Sequence, residues 1–307
     1  MAVILLGQQQ YQEAVMLLES ILIEVPDSDR VRFSLGAAYY EMQEWDKALY
    51  HLTLVPHFSS YYVDAITQAV SILREQKKIK EAEKLLQSAI AKRDEATQFY
   101  VLYATVLDDQ KKYEENSKFL AAAKEKFPDS SMILFLYAMN FDRVNDKETA
   151  LKWMQTVLEK DENHALAMNF IAYTYAEQNR DLEKALSLAK RANEIEPNNP
   201  FIQDTLGWIY YQKGQYKTAL IWLEKAFNGS KDESIIMDHL GDAYYKMGLV
   251  EKAQIMYDLA LESSDEEAFK QAIKSKLQAI RLPDSKFVPK ERIPAAVPKN
   301  EGLLNNQ

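Results

Sequence analysis

The sequence has no cysteine, which removes disulfides, thiolate metal sites and cysteine nucleophiles from consideration. This suits a cytosolic chain, and equally a periplasmic one that avoids stray oxidation. Glycine (8) and proline (9) are scarce among 307 residues. Both break helix interiors, so their scarcity favours helix. No excess of basic residues exists: the net charge is −9, and the acids are scattered. A nucleic-acid binder needs a basic face, and an anionic membrane surface attracts one, so neither partner is expected. No apolar run reaches the length of a membrane span. The opening MAVILLGQQQ has no cationic flank and is not a signal peptide as it stands.

What the chain does have is helix formers and repetition. Hydrophobic residues make up 47%, enough for a large core, and length alone suggests about two domains. LGAAYYEMQEWDKA (35–48), LGWIYYQKGQYKTA (206–219) and LGDAYYKMGLVEKA (240–253) are close copies. Let the glycine of this motif be register position 8. That position then falls at Ala2, Gly36, Val70, Ala104, Ala138, Ala172, Gly207 and Gly241. Every step is 34 residues except the 35 from Ala172 to Gly207, and the extra residue is expected in the turn Asn179-Arg180-Asp181. Position 20 is Ala in every copy except Asn116. Position 24 is Leu18, Leu52, Leu86, Leu120, Met154, Ala189, Leu223 and Tyr257, with a small or aliphatic residue three places later. Proline holds position 32 at Pro26, Pro128 and Pro197.

Each copy therefore reads as two helices. Small residues at 8 and 20 let the backbones approach. Apolar residues at 24 and 27 share one helix face. Proline stops the second helix, and Asp or Ser just after it caps the next, as in Pro128-Asp129-Ser130. The pattern resembles the tetratricopeptide repeat, a helix–turn–helix unit of 34 residues. The expected fold is all-α, a right-handed α-solenoid or superhelix. One hairpin cannot bury its own apolar face, so stacked copies share a core.

The expected organisation is a solenoid over 1–265 of one half plus seven repeats, a capping helix over 266–282, and an extended or disordered tail over 283–307. By register Met1 lies inside a first helix, so a fragment of a longer protein is the preferred reading of the amino-terminal end. In the cap, Ala268, Ala272, Ile273, Lys276, Leu277 and Ile280 form a helical stripe. The tail has four prolines and no helical period.

Catalytic chemistry is not visible. The four histidines, His51, His57, His164 and His239, are far apart and form no i, i+4 pair. His239 lies between Asp238 and Asp242 and reads as a surface histidine among carboxylates. No phosphate loop or nucleophile motif occurs. The expectation is a non-enzyme with no cofactor and no metal.

The resemblance implies that first helices line a concave groove, with positions 2, 5, 9, 12 and 13 facing inward. The family's carboxylate clamp uses Lys and Asn at 5 and 9. No lysine stands at either position in any repeat here, so that clamp is not expected. Instead the inward set is aromatic and acidic: Phe33, Tyr40, Phe135, Met139, Asn169, Tyr173, Phe201, Asp204, Trp208, Tyr211, Asp238, Asp242 and Tyr245. Trp208 and Tyr211 are expected to be exposed in the groove. Tyr39, Tyr210 and Tyr244, at position 11, are expected to pack between repeats. Aromatic anchors beside carboxylates suit an extended peptide with apolar and basic side chains.

Residues 169–226 are also similar to repeats in bacterial envelope lipoproteins of the tetratricopeptide class. That likeness implies export, a periplasmic or outer-membrane location, and recruitment of other envelope proteins, including proteases; a cytoplasmic location is the alternative. The functional expectation is a scaffold or adaptor for another protein or peptide, with the basic and apolar tail stretch 285–299, of the same chain or of a second copy, as a further candidate occupant of the groove. The rival is a self-assembly module that joins copies through the tail or the open repeat end.

Overall fold

The computed structural model describes residues 1–281. The tail over 283–307, including the Ser285–Lys299 stretch of basic and apolar residues, lies outside the described residues. Among the described residues the chain forms helices and no strand. They gather into two compact units, Met1–Asn140 and the residues from Phe141 on.

The first unit holds α1 (Ala2–Gly7), α2 (Tyr11–Glu24), α3 (Asp29–Glu41), α4 (Trp45–Thr53), α5 (Tyr62–Glu75), α6 (Ile79–Lys92), α7 (Thr97–Asp109), α8 (Tyr113–Lys126) and most of α9 (Ser131–Arg143). The second holds α10 (Lys147–Lys160), α11 (Ala165–Glu177), α12 (Leu182–Ile195), α13 (Pro200–Gln212), α14 (Tyr216–Gly229), α15 (Ser234–Lys246), α16 (Val250–Ser263) and α17 (Glu267–Arg281). Within a unit each helix packs on its chain neighbours, and first helices also touch the next first helix, as α11 does α13 and α13 does α15. That is the stacking of an all-α solenoid.

The residue pattern explains the hairpins. The turn inside each repeat places register position 15 in the left-handed region: Gln9, Gln43, Lys77, Lys111, Asn145, Asn179, Gly214 and Gly248 all have positive φ. Only two of these are glycine, although glycine adopts this conformation at least strain. The one long step has a second left-handed residue, Asp181 (φ 48°), which is the N-cap of α12. The inserted residue thus sits in the turn where the spacing placed it. Ser28 and Ser130 cap α3 and α9 by accepting from Val31 N and Ile133 N, each at 3.4 Å. Asn199, beside Pro200 at the first helical position, accepts from Phe201 N at 3.0 Å.

Position 20 is fully buried at Ala14, Ala48, Ala82, Ala150, Ala185, Ala219 and Ala253. At the exception, buried Asn116 donates through Nδ2 to the carbonyl of Ala104 at 3.0 Å, so its amide bonds the partner helix it touches. Tyr39 and Tyr244 are buried as expected and Tyr210 is half-buried. On α17, Ile273 and Leu277 are buried, Ala272 and Ile280 half-buried and Ala268 exposed.

Candidate functional site

In the second unit, four first helices place register positions 5 and 9 in a row: Asn169 and Tyr173 on α11, Asp204 and Trp208 on α13, Asp238 and Asp242 on α15. The register continues into α17, where Lys276 falls 34 residues after Asp242 and holds position 9. Asp204, Asp238 and Asp242 reach the next of these helices and Trp208 the one before, and together they form a polar ladder.

The indole Nε1 of Trp208 donates to Glu177 Oε1 of α11 at 2.8 Å. The Trp208 ring stacks on His239 of α15, with centroids 4.0 Å apart and planes 12° apart. It also stacks on Tyr211, with centroids 4.7 Å apart. His239 Nδ1 lies 2.9 Å from Asp204 Oδ2. Both side chains are buried, at 6% and 7% exposure. Burial alone pulls the imidazole pKa down, but the Asp204 carboxylate outweighs it and holds His239 above the ordinary value. The ring Nδ1 donates to the Asp204 carboxylate, and the ring face lies against Trp208.

The second rung joins α15 to α17. Lys276 Nζ donates to Asp238 and, at 2.9 Å, to Asp242. Tyr257 of α16 donates its hydroxyl to Asp242 Oδ1 at 2.6 Å. Burial would lower the lysine pKa; the two aspartates overcome it and hold the ammonium above its usual range. Burial raises Asp238, against the pull of Lys276. Burial, with Asp242 beside it, pushes the Tyr257 phenol far up.

Two expectations are corrected here. Trp208 and Tyr211 do not stand exposed: they are 5% and 8% exposed, because the His239 stack and the Glu177 bond hold the indole inside the ladder. His239 is no surface histidine; it is buried between Asp204 and Trp208. Asp204, Asp238 and Asp242 are also less available than acids in an open groove, since His239, Lys276 and Tyr257 already occupy them.

The remaining residues of the inward set are distributed as follows. Tyr173 is half-buried with its ring 6.2 Å from that of His239. Asn169, Phe201 and Tyr245 are half-buried on α11, α13 and α15. Phe33, Tyr40, Phe135 and Met139 belong to the first unit. There Phe33 stacks on Tyr61 at 5.3 Å, and Tyr40 donates to Glu75 at 3.2 Å. Phe135 is buried and Met139 half-buried. The sequence reading missed Glu177, His239, Tyr257 and Lys276 as members. A signal for two of them was there: Asp204 to His239 and Asp242 to Lys276 are separated by one repeat length, 35 and 34 residues.

Three family models, all described as tetratricopeptide repeat, match residues 5–57, 67–131, and 203–228 with 236–267. Together they span more than half of the chain. The chain belongs to the tetratricopeptide repeat family. This tetratricopeptide repeat protein is 29% identical over 79 residues to a TPR repeat-containing protein of Pseudomonas aeruginosa. The match takes in 26% of this chain and spans only 13% of the length of that curated relative. Among solved structures it is similar to a tetratricopeptide repeat protein from Parabacteroides merdae, with TM-score 0.59, 16% identity, and 82% of this chain and 98% of that one covered. It is also similar to the APC/C hetero-tetramer Cut9–Hcn1 (TM-score 0.65, 15% identity, 91% and 54% covered). Yeast Tom70 gives TM-score 0.55 at 14% identity, with 88% and 58% covered. These structural likenesses are of fold. Tetratricopeptide repeats are interaction modules that bind other proteins or peptides, and the repeats of this chain form a protein-interaction scaffold. No helix among the described residues is long and apolar enough to cross a membrane.

Proposed function

We propose that the inner face of α11, α13, α15 and α17 holds an extended peptide segment of a partner protein. The observation that carries this reading is the set of half-buried rings Tyr173, Phe201 and Tyr245 on successive first helices that the buried Trp208–His239 stack, with Asp204 and Glu177, ties together. Each ring of the stack is fixed by a hydrogen bond to one carboxylate, so the helices that carry the half-buried rings are pre-organised and a ligand pays little ordering cost. The half-buried rings of Tyr173, Phe201 and Tyr245 supply contact area. Because the neighbouring aspartates are already paired, apolar side chains dominate recognition. A basic side chain of the ligand has to compete with Lys276 or His239 for its carboxylate.

The narrower form of the proposal is an adaptor in a bacterial envelope, periplasmic or at the outer membrane, that recruits an exported protein. It rests on the resemblance of residues 169–226 to envelope repeat proteins. The test is site-specific photo-crosslinking in native lysate, with the photoreactive residue at Tyr245 or Phe201 on the inner face, or at Ile221 on the outer face. One partner captured from both inner positions and not from Ile221 is the expected result. Capture from Ile221 alone overturns the assignment to the inner face.

A further inference from the structure

The chain continues past Arg281, and the repeat register shows what the continuation is not. A second helix after α17 would put Phe287 at position 20, where the copies have Ala or Asn. It would put Glu291 at position 24, apolar in every copy, and Pro294 at position 27, inside the helix. Residues 283–307 therefore do not complete another repeat. Nor does α17 need them as a cover, because Gln271, Lys274 and Gln278 already present a polar, exposed surface on it.

The chemistry of the stretch 285–299 fits the inner face of the second unit. Lys286, Lys290, Arg292 and Lys299 stand there against Glu291 alone, in a chain of net charge −9. Along the inner face, Glu177, Asp204, Asp238 and Asp242 outnumber Lys246, Lys276 and His239, so a negative excess remains even with the histidine charged. Such an excess attracts a basic segment after its members have found their own partners. The stretch also holds Phe287, Val288, Ile293 and Val297. They match the half-buried rings of Phe201 and Tyr245 and, on α17, half-buried Phe269 and Ile280.

Position and length allow the contact. Lys276 bonds Asp238 and Asp242, so α17 lies beside α15. Lys276 and Asp242 share register position 9, which puts the two helices in step and the end of α17 beside the last turn of α15, where Tyr245 stands. The chain thus leaves α17 one helix away from Tyr245. An extended stretch of this length spans about 45 Å, and crossing from α17 to α13 takes about 20 Å at the usual helix spacing. Pro289, Pro294 and Pro298 favour extended chain, which lowers the ordering cost of docking. We propose that residues 285–299 dock on the inner face of α13, α15 and α17 of their own chain, where they stand in for a partner's peptide and have to leave before it binds. The inference rests on the inner face being the binding face.

Photo-crosslinking of the purified full chain tests this. A photoreactive phenylalanine replaces Tyr245, Phe201 or, as the outer-face control, Ile221, and mass spectrometry reads the point of attachment. The expected result is attachment to 285–299 from both inner positions and not from Ile221. Phe287→Asp should cut the yield about tenfold, and added salt should lower it. Mixing unlabelled with heavy-isotope-labelled chains shows whose segment is attached. Products of a single isotope are expected; products that join the two isotopes assign the segment to a second copy and overturn docking within one chain. No attachment from either inner position, or equal attachment from Ile221, overturns the proposal outright. The purified sample holds no partner. Attachment can therefore be absent while a partner is still captured at Tyr245 in lysate, and the reverse, so the two readings fail separately.

Discussion

Tyr257 fills the space that Gly241 leaves open. A Cβ at Gly241 would lie 2.6 Å from the Tyr257 ring, and the ring cannot yield because it is fully buried and its hydroxyl is bonded to Asp242. The repeat motif puts the glycine on α15 and the tyrosine sixteen residues later on α16, where most other repeats have an aliphatic residue. Gly241→Ala is therefore an overpacking substitution, with an expected loss of about 1–3 kcal/mol in chemical denaturation. Gly7→Ala is the control: nothing lies within 4 Å of the added carbon, and the change should be neutral or slightly stabilising. Equal changes at both sites would mean that the Tyr257 contact does not set the effect.

Lys276 is the only link from α17 to the paired aspartates of α15 among the described ion pairs. Lys276→Met strands Asp238 and Asp242 in a buried site. Breaking a buried pair in this way costs about 3–5 kcal/mol. Burial already raises the Asp238 pKa, so a stranded Asp238 favours protonation. The stability deficit of Lys276→Met should shrink as pH falls, and the triple variant with Asp238→Asn and Asp242→Asn should recover much of it. A deficit that grows toward acid pH, measured by urea melts across a pH series, refutes this.

The Asp204–His239 pair has the opposite dependence. His239 is raised above the ordinary histidine value in the folded state. Its contribution is complete below the unfolded value, about 6.5, and is lost as pH rises through the higher folded value. The melting-temperature gap between the native chain and His239→Gln should be widest just below neutrality and narrow toward alkaline pH. A gap that widens as pH rises is incompatible with a protonated, Asp204-paired imidazole.

Most of the fold was legible because a repeat is a local pattern copied in register. The alanines at position 20, the turn that absorbs the extra residue and the serine caps are each dictated by neighbours along the chain. Half of the left-handed turn residues were not: Gln9, Gln43, Lys77 and Lys111 do not announce positive φ, whereas Asn145, Asn179 and the two glycines do. At the candidate site, the row of aromatic and acidic residues was visible in the register, but their state was not.

Sequence by itself determined that this chain is a stack of helical hairpins, since period, small residues and apolar spacing all act within about one repeat length. Only the tertiary structure decided that Asp204 meets His239, that Lys276 closes on Asp238 and Asp242, and that Trp208 lies inside the ladder and not open in the groove. Those pairings depend on how far one helix's side chains reach toward the next. Composition at a position does not tell whether a carboxylate faces solvent or a cation on the adjoining helix, because both states use the same residue.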